Sequence, residues 1–291
     1  MKKISLLIII AILMGCGSTT SYTPSDENPE SNSFGTEQTL EVMTWNLENF
    51  AKNGDVTVDR VAQILDSLDV DIIALQEIEN VAKFNQLDQQ LTDWQGYVSS
   101  GAAYDINLAF LYRNELNPEI YQILTSEWYA LPRSPLVMEV QVDNKDFIII
   151  NNHFKAGGDA DDLARRREGS EILHQYIISH YDAENVIALG DLNDQLTDSN
   201  QMNVFLPFLN DTDNFLFADY SLEVAGVENY SYPNWPSHLD HILISNELFD
   251  EFTQENSDIQ TLHVDNFFIN FDQYEENVSD HLPVGIKLFL N

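Results

Sequence analysis

Four apolar runs in this chain each end in a polar residue able to do chemistry, and that repeat limits the fold more than any other feature. Residues 40–45 lead to Asn46, and residues 70–75 lead to Gln76 and Glu77. Residues 147–150 lead to Asn151, Asn152 and His153, and residues 186–190 to Asp191 and Asn193. Runs of this length and β-branched content predict buried strands. Ligands of open α/β sheets bind outside the carboxyl ends of strands, so four such ends suggest one shared cleft. Helical spacing fills the intervals, at 58–68 (Val61, Ile64, Leu65, Leu68), at 84–94 and at 163–180. Further strands are expected at 108–112, 136–142, 240–244 and 284–290, with the turn-like Asp143-Asn144-Lys145 joining 136–142 to 147–150. Helices interspersed with many strands predict a mixed sheet system flanked by helices.

Hydrophobic residues make up 44% of the 291-residue chain, enough to bury a real core. Against 13 basic residues stand 48 acidic ones, a formal net charge of −35. Such a field repels polyanions, so any action on nucleic acid has to work through a local basic patch or bound cations. Cys16 is the single cysteine, which rules out an intrachain disulfide. It follows Lys2, Lys3 and the apolar run 4–14, which is too short to span a bilayer as a helix of about 20 residues. That order matches a secretory signal peptide, and Leu13-Met14-Gly15-Cys16 resembles a bacterial lipobox, which implies lipidation of Cys16. The expected organisation is a signal peptide over 1–15, a flexible tether over 16–38 reaching roughly 25 Å, and a folded domain over 39–291. The body is then exported and lipid-anchored to the cell envelope, most simply at the outer membrane.

The chemistry-bearing segments each have a plain alternative. In Gly190-Asp191-Leu192-Asn193-Asp194, residues two apart on an extended segment share a face, so Asp191 and Asn193 can enter one cleft; an Asp/Asn-rich turn is the other reading. An EF-hand starting at Asp191 fails, because Leu196 and Met202 stand where Gly and Glu are required. In Ser279-Asp280-His281-Leu282-Pro283, Pro283 delays the strand, so a turn aims Asp280 and His281 together or leaves a surface His. In Ser237-His238-Leu239-Asp240-His241-Ile242, Asp240 alternates with Ile242 and Ile244, so it faces inward and needs a partner such as a His from another strand. His241 lies on the opposite face and is left out of the set.

Trp45-Asn46, Leu75-Gln76-Glu77, Asn152-His153-Phe154-Lys155, Gly190-Asp191-Leu192-Asn193, Leu239-Asp240-His241-Ile242 and Ser279-Asp280-His281-Leu282-Pro283 occur in this order. Together they resemble the endonuclease/exonuclease/phosphatase superfamily, over about 40–291. The resemblance implies an α+β fold, a four-layer αββα sandwich of two packed mixed β-sheets flanked by helices. It implies a magnesium site at Glu77 and Asp280, with Mn2+ or Ca2+ as substitutes or additions. Asp191 would position or deprotonate the attacking water, and Asn46 and Asn193 would hold the scissile phosphate. His281, oriented by Asp240, and His153 would face the phosphate, with Asp105 a candidate acid behind His153. Lys155 and Arg165, Arg166 and Arg167 supply a local basic stretch, of which one or two arginines face the cleft unless all lie on a solvated helix face. Lys155 and Arg165 are the expected substrate contacts. Tyr230, Tyr232 and Trp235 either stack on bases or pack a long loop.

The expectation is an exported, metal-dependent, endonuclease-like phosphodiesterase acting on nucleic acid, with no obligate protein partner. One alternative is a phosphatase or phosphodiesterase of small-molecule or lipid-headgroup phosphates. A second is a non-catalytic binding module, which the complete set of site residues disfavours. No His-Glu-x-x-His, Gly-x-Ser-x-Gly or Gly-x4-Gly-Lys pattern supports another hydrolase class.

Overall fold

A computed structural model describes residues 33–290; the expected signal peptide, Cys16 and the tether as far as residue 32 lie outside them. Two β-α-β units set the architecture. In the first, β1 (Thr39–Phe50) passes through α1 (Asp55–Leu68) to the parallel β2 (Ile72–Ile78), with Asn46 opposite Gln76. Next come α2 (Val81–Gln90), β3 (Trp94–Val98), β4 (Asn107–Arg113), β5 (Glu119–Gln122) and β6 (Leu136–Val142). In the second unit, β7 (Lys145–His153) passes through α3 (Ala160–His180) to the parallel β8 (Asn185–Asp191), with His153 opposite Asp191. A parallel pair needs such a crossover, and the helix supplies it.

The chain continues through α4 (Leu206–Leu209), β9 (Phe215–Phe217), α5 (Tyr220–Ala225), β10 (Asp240–Ser245), α6 (Phe249–Phe252), β11 (Asp258–Thr261), α7 (Phe271–Asn277) and β12 (Val284–Phe289). One six-stranded sheet runs β11-β12-β1-β2-β4-β3 and the other β5-β6-β7-β8-β10-β9, packed face to face with helices outside. This is the α+β sandwich that the resemblance implied.

Alternation along the strands fills three layers of core. Leu40, Val42, Ile72, Ala74, Phe147, Ile149, Ile187, Leu189, Ile242 and Ile244 point into the space between the sheets. Met43, Trp45, Ile73 and Leu75 point outward, under Val61, Ile64, Leu65 and Leu68 of α1. Helix α3 closes the other side with Leu173 and Ile177, and its start carries a capping box in which Asp159 and Asp162 satisfy each other's backbone N–H groups.

Between the sheets, polarity changes along the strands. Beyond the apolar layer, Thr44 and Gln76 are hydrogen-bonded at 3.2 Å, and Gln76 Nε2 donates to Asn151 Oδ1 at 2.8 Å. Asn151 Nδ2 donates in turn to the carbonyls of Leu75 and Ala109. This buried polar floor joins one sheet to the other. One register further lie Asn46, His153, Asp191 and Asp240, on the same strand faces.

Two sequence expectations shift. The helix expected over 84–94 ends at Gln90, because Trp94 is drawn into β3, where the Arg113 guanidinium lies 4.4 Å from its ring. Asn46 and Glu77 sit inside long strands and not after them. The β1–β2 register slips between Asn46 and Phe50, and Glu77 takes φ 60°, which re-aims its side chain.

Candidate active site

The parallel pairs bring their carboxyl ends together across the seam between the sheets. Asn46 Nδ2 donates to Asp191 Oδ2 at 2.9 Å and to Glu77 Oε1 at 3.2 Å, tying both units through one amide. Gly190 makes the approach of β7 and β8 possible: its φ is 144°, and a Cβ there would lie 1.9 Å from the Asn152 carbonyl oxygen. On β10, Asp240 Oδ2 accepts from His281 Nδ1 at 2.6 Å, so the expected pairing of a buried acid with a His from another segment is present. His281 Nε2 is thereby aimed at Asp191 Oδ2, 4.0 Å away, while His153 Nε2 approaches the same oxygen to 3.6 Å. Both separations are too long for direct hydrogen bonds. The two imidazoles and the carboxylate therefore surround a gap.

Burial acts on each group, and the neighbours decide the outcome. Asp191 is pushed up to about 7 by burial, with His281 and the Asn46 bond pulling back and Asp240 and Glu77 adding to the rise. For His281, burial opposes the charge, but Asp240 outweighs it and, with Asp191 and Asp280, raises the imidazole to about 10. His153 goes the other way. Burial, then the positive Arg133 and His281, hold it well below the usual imidazole range, so it is neutral. Its Nδ1 is buried without a partner. Asp105 does not supply one: it is an exposed residue of a short 3-10 turn at φ 59°, and no hydrogen bond joins it to that nitrogen.

Asn193 sits at φ 55°, where its N–H donates to Asp191 Oδ1 at 3.0 Å and its Nδ2 reaches the Phe154 carbonyl at 3.3 Å. The cleft thus unites Asn46, Glu77, His153, Asp191, Asn193, Asp240, Asp280 and His281. Lys155 is not brought in, because its ammonium pairs with Asp162 at 2.8 Å. Arg166 is buried against Asp194, and Arg167 donates to the carbonyls of Gln201 and Met202. Only Arg165 stays near the rim, bonded to the Tyr129 carbonyl and 5.0 Å from that ring. Tyr232 packs on His281, ring centres 4.8 Å apart, whereas Trp235 stands out in solvent. Tyr230 lies beside His238.

Two residues that the motifs did not flag also face the cleft. Arg133 is half-buried next to His153, its Nη1 donating to the Phe154 carbonyl at 3.3 Å and its Nε buried without a partner. Burial lowers its affinity for the proton, while Glu77 and Asp191 support the charge. Its signal is the hairpin: Leu136 pairs with Asn151, so residues just ahead of 136 lie beside those just after 151. Glu48, two residues past Asn46, accepts from the Asp280 N–H at 3.0 Å.

The sequence profile of the endonuclease/exonuclease/phosphatase family matches residues 43–281. The chain belongs to that family. No curated protein sequence matches it. Among solved structures it is similar to D. rerio TDP2 complexed with a single strand DNA product, at 14% identity and a TM-score of 0.64, over 87% of this chain and 99% of that one. It is also similar to the human Nocturnin catalytic domain with a bound sulfate anion, at 16% identity and a TM-score of 0.63, over 86% and 94%. A third is a Bacteroides thetaiotaomicron mannosyl-6-phosphatase, at 15% identity and a TM-score of 0.61, over 86% and 100%. At these identities the likeness is one of fold. Family membership makes the chain a phosphoesterase of a divalent-metal-dependent kind.

The residues present suit such an ion. Asp280 Oδ1 is buried with no hydrogen-bond partner, and burial together with Glu48 and Glu77 raises the Asp280 carboxyl to about 6 against the pull of His281. Converging carboxylates with an unpaired oxygen are what a hard cation takes as ligands.

Proposed function

We propose that the chain hydrolyses phosphodiester bonds of single-stranded nucleic acid, gripping the substrate at one or two phosphates. The observation that carries the hydrolytic reading is the gap around Asp191 Oδ2, bounded by Asn46 at 2.9 Å, His153 at 3.6 Å and His281 at 4.0 Å. Glu77 and Asp280, with Glu48 beside them, would hold the metal, which supplies charge neutralisation to the anionic ester. Asp191, poised near neutral pH, accepts a proton from the attacking water. His281 stays charged through neutrality and, fixed by Asp240, opposes the negative charge gathering on the phosphoryl oxygens. Neutral His153 offers a hydrogen bond, and Arg133 Nε a charge-assisted one. Asn46 and Asn193 orient the groups around them.

Two exposed aromatics close in sequence to site residues support a nucleic-acid substrate: Trp128, 72% exposed, is five residues from Arg133, and Trp235, 76% exposed, is five residues from Asp240. Bases stack on such surfaces. The D. rerio neighbour with its single strand DNA product fits that reading. A second reading, a phosphatase of small esters, is favoured by the loss of Lys155, Arg166 and Arg167 to internal partners and has the mannosyl-6-phosphatase as its parallel.

A substrate panel decides between them. Cleavage of single-stranded oligonucleotides, abolished by EDTA and restored by magnesium, is the expected result. Hydrolysis of sugar phosphates without cleavage of DNA or RNA transfers the substrate to the second reading, and full activity in EDTA refutes metal dependence. Export and lipid anchoring remain part of the proposal, resting on Lys2, Lys3, the run 4–14 and Cys16. Replacing Cys16 with Ala should then move the protein from the membrane to the soluble fraction; an unchanged distribution argues against the anchor.

A further inference from the structure

Behind the Asp240–His281 pair lies a second acid–histidine cluster, formed by Asp219, His238 and His241, all fully buried. Their ligating atoms lie within 4.8 Å of one another, the spacing of a metal site. Hydrogen bonding argues against a metal there. His241 Nδ1 faces Asp219 Oδ2 at 2.6 Å and its Nε2 faces the Asp194 carbonyl at 2.8 Å. Both partners are acceptors, so both ring nitrogens carry protons and neither has a lone pair to give. His238 Nε2 donates to Asp219 Oδ2 at 3.2 Å, while its Nδ1 accepts the Ser231 N–H at 3.2 Å. The remaining Asp219 oxygen accepts the Ile242 N–H at 2.8 Å. Every nitrogen and oxygen of the three side chains is used.

What the cluster holds is visible by following its bonds outward. From His238 they reach Ser231, whose hydroxyl accepts the Leu239 and Asp240 N–H groups and whose carbonyl accepts the Leu282 N–H. From His241 they reach Asp194, next to Asn193, whose carboxylate binds Arg166 Nε at 2.9 Å. Arg166 Nη1 then donates to the carbonyls of Lys155 and Gly157, just past His153. One buried carboxylate thus sits at the root of two arms, each ending on a loop that carries site residues.

We propose that Asp219 is a positioning hub for phosphoester hydrolysis, setting the Asp240–His281 side through His238 and the His153–Asn193 side through His241. The inference rests on the hydrolytic reading of the cleft. Burial opposes the charge on His241, but Asp219 overrides it and raises the ring to about 9, in keeping with a buried ion pair at the root.

The test is Asp219→Asn in the full chain, with Arg166→Gln to break only the far arm. Amide exchange of Asp219→Asn should rise in loops 154–158 and 191–196, and in Arg166→Gln chiefly in 154–158. With magnesium and an oligonucleotide, Asp219→Asn should lower kcat about 10- to 100-fold with little change in KM. In an Asn193→Ala background its effect should shrink, because both changes act through one loop. Unchanged exchange, or full additivity with Asn193→Ala, overturns the hub. Stoichiometric zinc binding by the wild type that is lost in Asp219→Asn also overturns it, in favour of a metal site. If the wild type hydrolyses nothing, the proposed function fails, and the exchange pattern alone decides the hub. Arg166→Gln keeps that arm open should Asp219→Asn not fold.

Discussion

Asp191 takes its character from four side chains that the fold gathers around it. Burial, Asp240 and Glu77 push its carboxyl toward neutrality, while His281 and Asn46 keep it from remaining protonated at higher pH. Asp191→Asn preserves the shape and keeps one of the Asn46 and Asn193 contacts, but removes the proton acceptor. It should cut kcat by about 10²- to 10⁴-fold and leave the thermal melt nearly unaltered; full turnover would remove Asp191 from the chemistry. Residues of this kind were legible because they end or begin apolar runs or stand just ahead of a proline, so local pattern nominates Asp191, Asp240 and the Asp280-His281 pair, each beside a plain alternative, and the order of the motifs joins them. Arg133 was not legible, because only the pairing of Leu136 with Asn151 brings it to His153. The basic stretch after His153 was only partly legible, for a related reason. Asp162 and Asp194 are plain in the sequence, but that they neutralise Lys155 and Arg166 appears only when α3 is folded back.

The elements were legible where burial is one-sided and long. β1, β2, α1, α3, β7 and β8 all follow the apolar spacing, whereas β3, β5, β9 and β11 are short and owe their conformation to a neighbouring strand. The polar floor of Thr44, Gln76 and Asn151 lies between these regimes, since it interrupts an apolar face that would otherwise continue. Asn151→Leu leaves the Leu75 and Ala109 carbonyls without their donor. It should cost about 2–5 kcal/mol in denaturant unfolding; a neutral result would show that the floor is dispensable.

At the far end of β1 and β2, Glu41 and Asp71 lie side by side, and burial, then Asp71 against the Thr39 bond, raises Glu41 to about 8. The folded chain therefore keeps a proton that the unfolded chain releases above about 4.5, so stability falls as pH rises between those values and is level beyond. Glu41→Gln should melt higher than the wild type at pH 8, with the gap closing by pH 5. Equal melts at both values would mean that the pair is not strained by charge.

For the whole molecule, a net charge of −35 is set against a cleft whose arginines without a carboxylate partner, among the described residues, are Arg133 and Arg165. Binding of a single-stranded oligonucleotide should depend weakly on salt, with log K against log salt sloping at about −1.4 for two phosphates, roughly −0.7 for each. A slope steeper than about −3 would require a basic track that these residues do not form. The cleft itself belongs to neither β-α-β unit. Asn46 and Glu77 come from one, His153 and Asp191 from the other, and the Asn46–Asp191 bond crosses the seam. Regain of activity after denaturation is therefore a clock for the docking of two sheets. Strands and helices can be complete on both sides while the enzyme is still silent.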